Sequence, residues 1–208
     1  MATPLLLIPT LFEAAFLEAC PDAKDLAKGA VPWRGFDLAI CGMGPVDAGV
    51  GAAFALAAGG HDRCLLAGLA GAYAGRLDPT PGLVLVREAI LEDLGVRTGQ
   101  GCELLAGLDP REAIAGMASG IREVTSLTVS SCSGDLRVAQ ERIAERPKVG
   151  IEEMETFAVA RACRRAQVPL TCVRAISNEA GDRDKDRWHV PEAMALIQDY
   201  LDSVSPRA

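Results

Sequence analysis

Three carboxylates fall within four residues at Glu152-Glu153-Met154-Glu155, directly ahead of an apolar stretch with helical spacing. A carboxylate fixed there can accept two hydrogen bonds from a vicinal diol, and Met154 would offer a soft, polarisable surface to the face of a sugar. Acidic residues opening a helix also suit the positive end of its dipole, by about 0.3–1 kcal/mol. Charge alone leaves a capping cluster and a diol-binding site both open. A second polar group follows at Arg174-Ala175-Ile176-Ser177-Asn178, where a run of buried-strand type abruptly turns polar. Asn178 could meet a ligand there, or could simply form a turn, since Asn tolerates left-handed backbone. The alternating charges from Asp182 to Arg187 read as a solvated loop. Trp188 beyond them either lines a pocket or anchors the core.

Two glycine-bearing segments add to these. Gly42-Met43-Gly44 follows a strand and opens a helix, and Gly68-Leu69-Ala70-Gly71 repeats the layout one strand later. Each is either a tight turn or a place where backbone approaches a ligand. Neither has the third glycine of a dinucleotide fingerprint. His61 and His189, the two histidines, lack neighbours at metal-ligand spacing, so no metal is expected. The seven cysteines form no CxxC pair, and most sit among aliphatic residues, as reduced structural thiols do.

The elements that must position these groups alternate between β and α patterns. Strands are predicted at Leu5–Pro9, Asp37–Cys41, Arg63–Ala67, Leu83–Glu88, Ser126–Ser131 and Leu170–Ile176. Helices are predicted at Phe12–Cys20, Val46–Ala58, Met154–Gln167 and Pro191–Ser203. Continuous apolar strands alternating with helices imply an α/β fold, a single three-layer domain over residues 1–208 with a mostly parallel mixed sheet flanked by helices. In such sheets ligands sit beyond the carboxyl ends of strands, where the glycines and Asn178 fall.

Composition narrows the function classes. The chain has 208 residues, 50% apolar and 24% charged, with a net charge of −7. A chain this apolar folds, and its acidic balance without basic clusters makes nucleic acid or an anionic membrane a poor partner. No run approaches a membrane span, and the apolar opening lacks the basic flank of a signal peptide, so a cytoplasmic protein is expected.

The segment GIEEMETFAVARACRRAQVPLTCVRAISN resembles the nucleoside phosphorylase/nucleosidase superfamily, with its Met-Glu ribose motif, a helix, and a strand ending Arg-Ala-Ile-Ser before Asp or Asn. CGMGPVDAGVGAA and LAGLAGAY resemble its two glycine-rich strand ends, so the likeness spans most of the chain. The resemblance implies cleavage of the bond between a purine and ribose, with no metal or organic cofactor. It implies that Glu155 holds the ribose hydroxyls and Met154 packs on the sugar. Glu13, in Pro9-Thr10-Leu11-Phe12-Glu13, falls on the glutamate that positions or activates water, although this chain has one glutamate where the nucleosidases have a run. Ala70, Gly71, Ser177 and Asn178 fall around the purine, with Asn178 at N7 and the 6-substituent. The implied assembly is a homodimer or larger, a partner loop closing the 5′ end of the pocket.

Chemistry then separates the branches. Negative charge collects on the departing purine, and a group near N7 must donate to it. Relatives that cut 6-aminopurines carry Asp there, whereas the amide of Asn178 can donate to N7 or O6 and favours a 6-oxopurine. The resemblance also places Leu66 and Leu69 where bacterial phosphorylases hold phosphate with Arg and Ser. Leucines cannot pair an anion, so water is the expected nucleophile. A methylthioadenosine-type nucleosidase is the alternative, disfavoured by Asn178. A non-catalytic nucleoside binder is a third reading, which has no use for Glu13.

Overall fold

The computed structural model describes residues 2–98, 101–116, 118 and 120–205. Its strands are β1 (Leu5–Ile8), β2 (Val31–Trp33), β3 (Phe36–Ile40), β4 (Cys64–Ala72), β5 (Leu83–Leu91), β6 (Val96–Thr98), β7 (Gly101–Glu103), β8 (Arg111–Ala113), β9 (Arg122–Thr128), β10 (Val149–Glu153) and β11 (Leu170–Glu179). Its helices are α1 (Leu11–Ala14), α2 (Ala23–Leu26), α3 (Gly44–Ala57), α4 (Leu136–Ile143), α5 (Thr156–Ala166) and α6 (Val190–Val204). Among the described residues no helix is long and apolar enough to cross a membrane.

The three-layer α/β architecture follows from strands apolar on both faces. In β1, Leu5 and Leu7 pack with the Ala-rich face of α3 and with Phe157 and Cys163 of α5. Leu6 and Ile8 point the other way, onto Met194, Ile197 and Leu201 of α6. A strand buried on both sides reads as a continuous apolar run, because alternate side chains enter different cores.

The sheet is mixed. β3, β1, β4 and β11 run parallel in that spatial order, while β5 lies antiparallel to β11 and parallel to β9. β10 pairs with β9 and then returns to β4, aligning Ile151 with Ala72 and Glu152 with Gly71. This half of the sheet therefore curls shut, as β4–β11–β5–β9–β10.

That curl gives β4 two neighbours along one edge. Cys64–Leu66 pair with Leu5–Leu7 of β1, and Gly71–Ala72 pair with β10. Between them the edge opens beside Ala67–Ala70, while the opposite edge stays bonded to β11 throughout.

Several boundaries differ from those predicted. The strand expected at Arg63–Ala67 runs through both glycines to Ala72, so Gly68-Leu69-Ala70-Gly71 lies inside β4 and is not a turn after it. The strand expected at Leu170–Ile176 continues through Ser177 and Asn178 to Glu179, which removes the turn-forming reading of Asn178. Glu152 and Glu153 end β10, a strand not foreseen, and do not open the helix, which begins at Thr156. The helix expected at Phe12–Cys20 is a single turn, α1.

Candidate active site

A cavity of about 610 Å³ opens where β4 changes neighbour. All seven side chains or backbones singled out from the sequence line it: Glu13, Ala70, Gly71, Met154, Glu155, Ser177 and Asn178. Trp188 lines it as well.

Glu13 enters from α1. Thr10 caps that turn by accepting from the Glu13 N–H at 3.1 Å, which with Glu at the third helical position has the spacing of a capping box. The Glu13 carboxylate turns elsewhere, however. Its Oε2 accepts from the Thr10 hydroxyl at 2.6 Å, and its Oε1 from the Leu69 N–H at 2.9 Å. That N–H belongs to the stretch of β4 left without a strand on one side. Two fixed donors thus orient a buried carboxylate at the cavity wall.

Behind it lies Arg174, fully buried on β11. Its Nη2 donates to Glu153 at 2.8 Å and to the Thr156 hydroxyl at 3.0 Å, and sits 3.2 Å from Oε2 of Glu155. Burial works against its charge, but Glu153, Glu155 and Glu13 outweigh that and raise its pKa. Gly68 makes the room. A Cβ there would lie 2.7 Å from Arg174 Nη1 and 3.0 Å from Glu13 Oε1, so the glycine serves this charge cluster rather than a ligand.

The acidic trio divides its work. Glu153 Oε2 accepts from the N–H groups of Glu155 and Thr156 at 2.8 and 2.7 Å, besides Arg174, and so ties off the start of α5. Glu152 accepts from Tyr73, Ser133 and Arg142 at 2.6–3.0 Å. Both carboxylates are spent inside the protein. Glu155 differs: besides the Arg174 pair at its Oε2, it accepts among the described residues only from the Gly44 N–H, at 3.1 Å on Oε1. Gly44 has φ +83°, a conformation that glycine supplies without strain, and this aims its N–H at the carboxylate. Met154 lies alongside, its sulfur 3.4 Å from that of Cys132.

At the other wall a bulge in β11 skips Ser177 between Ile176 and Asn178. Bulges re-aim side chains. Here Asn178 Nδ2 donates to the Glu179 carbonyl at 2.8 Å, and Ser177 Oγ donates to Asn178 Oδ1 at 2.8 Å. A carbonyl can only accept, so the amide orientation is fixed and one N–H of Asn178 remains to be used.

Residues 38–205 match the family described as the phosphorylase superfamily. The chain belongs to the phosphorylase superfamily. Within this superfamily it is 37% identical to a futalosine hydrolase of Thermus thermophilus, over 93% of this chain and 91% of that one. It is 32% identical to a futalosine hydrolase of Streptomyces coelicolor, over 83% and 79%. The fold of this superfamily member superposes on 5′-methylthioadenosine/S-adenosylhomocysteine nucleosidases. The Neisseria meningitidis enzyme in complex with methylthio-immucillin-A gives a TM-score of 0.71 at 18% identity, covering 97% of this chain and 100% of that one. The Campylobacter jejuni enzyme gives 0.73 at 17%, covering 98% and 100%.

The strand motif alone assigns Arg174 no role. The signal was available: a lone charge within an otherwise apolar buried run must find a counter-charge in the core.

Burial beside Glu153 pushes the Glu155 carboxyl up to about 7, against the pull of Arg174 and the Gly44 N–H. The folded protein then holds a proton that the unfolded chain releases near pH 4.5, so Glu155 makes stability fall as pH rises from there to about 7. Carbon-13 NMR of labelled glutamate side chains is expected to show one carboxyl titrating near neutrality, absent in Glu155→Gln. A Glu155 signal titrating only in the ordinary carboxylate range would refute this.

Proposed function

We propose that this chain hydrolyses the N-glycosidic bond of a 6-oxopurine nucleoside, futalosine foremost, releasing hypoxanthine. The observation that carries the choice of base is the fixed amide of Asn178. Its unused N–H can donate to N7 or O6 of a 6-oxopurine, on which negative charge grows as the bond breaks. An adenine-type base would present an amino donor to that donor. The curated relatives at 37% and 32% identity, both futalosine hydrolases, support the same reading.

Each remaining wall group has a task in this chemistry. Glu155 accepts from the ribose hydroxyls, and Met154 packs against the sugar. Glu13, aimed by Thr10 and Leu69, orients water and takes its proton as the oxocarbenium-like sugar forms. Ala70 and Gly71 offer the purine a flat strand surface. Leu66 and Leu69 provide no side-chain donor to an anion, which favours water over phosphate. A methylthioadenosine nucleosidase shares the fold, but Asn178 speaks against that substrate. Residues 1–208 act as one nucleosidase domain, with nucleoside and water as partners.

A second copy of the chain completes the assembly. Val46, Val50 and Phe54 recur every four residues along α3, and all are exposed, Phe54 by 75%. An apolar stripe of this kind marks an interface, and Met43 continues it to the cavity rim. Phe54→Asp is expected to shift the sedimentation profile to monomer. A wild-type chain already monomeric at micromolar concentration would remove this part of the reading.

The activity is tested by hypoxanthine release from futalosine and inosine, and adenine release from methylthioadenosine, with and without phosphate. Release from the first two without phosphate is expected. In that assay Glu13→Gln should cost about 10²–10⁴-fold in turnover, the usual weight of a general base, while hypoxanthine still binds. More than about half the activity surviving would move the role to another group.

Asn178→Asp discriminates base recognition. The new oxygen would face the Glu179 carbonyl and lose the donor. A mismatched buried contact costs about 1–3 kcal/mol, so the ratio of kcat/KM for 6-oxo over 6-amino substrates should fall roughly 5- to 150-fold. Taking a ratio cancels any general loss of folded enzyme. An unchanged ratio would mean that Asn178 does not read the base.

A further inference from the structure

The two oxygens of Glu13 have partners that differ in kind. Oε1 accepts from the Leu69 N–H at 2.9 Å, a main-chain donor fixed in β4. Oε2 accepts from the Thr10 hydroxyl at 2.6 Å. An N–H can only donate, whereas a hydroxyl carries one hydrogen and two lone pairs and rotates to suit its neighbour. Thr10 spends one lone pair on the Glu13 N–H, at 3.1 Å, as the cap of α1. Among the described residues its second lone pair meets no donor. In an ordinary capping box the glutamate would bond the backbone N–H of the cap residue, so its turn to the hydroxyl departs from that pattern. Both Thr10 and Glu13 line the cavity.

The difference matters to a group that gains a proton. A carboxylate acting as a base begins as an acceptor at both oxygens and ends with an O–H that needs an acceptor of its own. The Leu69 N–H cannot reverse, so a proton on Oε1 would weaken that bond and leave the new O–H without this partner. A proton on Oε2 meets the spare lone pair of Thr10, and the hydroxyl hydrogen rotates off the line between the two oxygens. Glu155, on the same cavity, is met among the described residues by nitrogen donors alone, the Gly44 N–H and Arg174. It has no partner that can change sense.

We propose that the Thr10 hydroxyl is the reversible partner of Glu13: it donates to Oε2 while the carboxylate aims water, and accepts from Oε2 once the proton has arrived. This rests on the reading of Glu13 as the base and adds which oxygen takes the proton and what receives it. In that step the glycosidic C–N bond breaks and its electron pair passes to the purine. The water oxygen bonds to the anomeric carbon, one water proton goes to Oε2, and Thr10 turns a lone pair to the new O–H. The purine takes a proton from solvent and Glu13 returns its own to solvent, which balances the hydrolysis. Thr10 is a positioning residue, because it acts through Glu13.

The test measures hypoxanthine release from futalosine by wild type, Thr10→Val, Thr10→Ser and Thr10→Asn, with calorimetric hypoxanthine binding as the check on a folded site. Thr10→Val keeps the shape and deletes the hydroxyl. It is expected to lower kcat about 10- to 150-fold, the weight of a hydrogen bond to a charged group, with little change in KM. Thr10→Ser should recover most of that loss. Thr10→Asn separates reversal from aim: its amide can cap α1 and donate to Oε2, but an N–H cannot turn to accept, so kcat should stay near that of Thr10→Val. In a double-mutant cycle, Thr10→Val should cost little once Glu13→Gln has removed the base. Recovery by Asn equal to that by Ser, no loss in Thr10→Val, or the same loss in the Glu13→Gln background would each overturn the inference while leaving the nucleosidase reading standing. Should Thr10→Val fail to fold, the comparison of Ser with Asn decides alone. Undiminished turnover in Glu13→Gln would overturn the assignment of the base, and this inference with it.

Discussion

Arg174 holds the site together. A guanidinium fully removed from water costs several kcal/mol unless its charge and donors are matched. Here Glu153 and Glu155 lie at 2.8 and 3.2 Å, so one cation pairs with carboxylates at the end of β10 and the start of α5, while Glu13 of α1 adds its field. The match is not complete, since Arg174 Nε has no partner among the described residues. Three acids against one base leave surplus negative charge in a dry place. Burial first, and then the neighbouring Glu153, raises Glu155, and both Glu155 and Glu13 line the cavity. Loss of Arg174 would leave those carboxylates facing one another unpaired.

The sheet supplies the space. A strand bonded on both edges offers no free N–H, and β4 is so bonded at each end. Only where β1 has ended and β10 has not begun does its edge open, and there Leu69 donates to Glu13. Gly68 occupies the same stretch because Arg174 and Glu13 take the volume a side chain would need. The opening, the glycine and the charge cluster are one device. Its cost is local strand pairing, and its yield is a fixed carboxylate at a cavity wall.

The fold does not choose the substrate. Nucleosidases that superpose with TM-scores of 0.71–0.74 share 12–18% identity with this chain, and a shared scaffold hosts different bases. In the function proposed above, the choice of base falls to small polar differences such as the Asn178 amide. Its orientation is imposed by a main-chain carbonyl rather than by a ligand, so the donor stands ready before any substrate arrives.

The sequence by itself determined the α/β class, the order of most elements and seven of the residues that line the cavity, Glu13, Ala70, Gly71, Met154, Glu155, Ser177 and Asn178. Apolar runs of strand length and helical spacing report burial directly, and the Met154-Glu155 and Ser177-Asn178 pairs carried their chemistry in residue type. It did not reveal β10, because Val149–Glu153 ends in two carboxylates that read as helix-opening charge. Nor did it reveal that Gly68 and Gly71 lie within a strand, since glycine usually interrupts one. Which of three adjacent glutamates stays available was decided only by tertiary structure. Glu152 finds Tyr73 and Arg142, Glu153 finds Arg174 and the start of α5, and Glu155 is left toward the cavity. Residue type fixes what a side chain can donate or accept, but its partners come from distant segments that meet only when the sheet curls and brings β10 against β4.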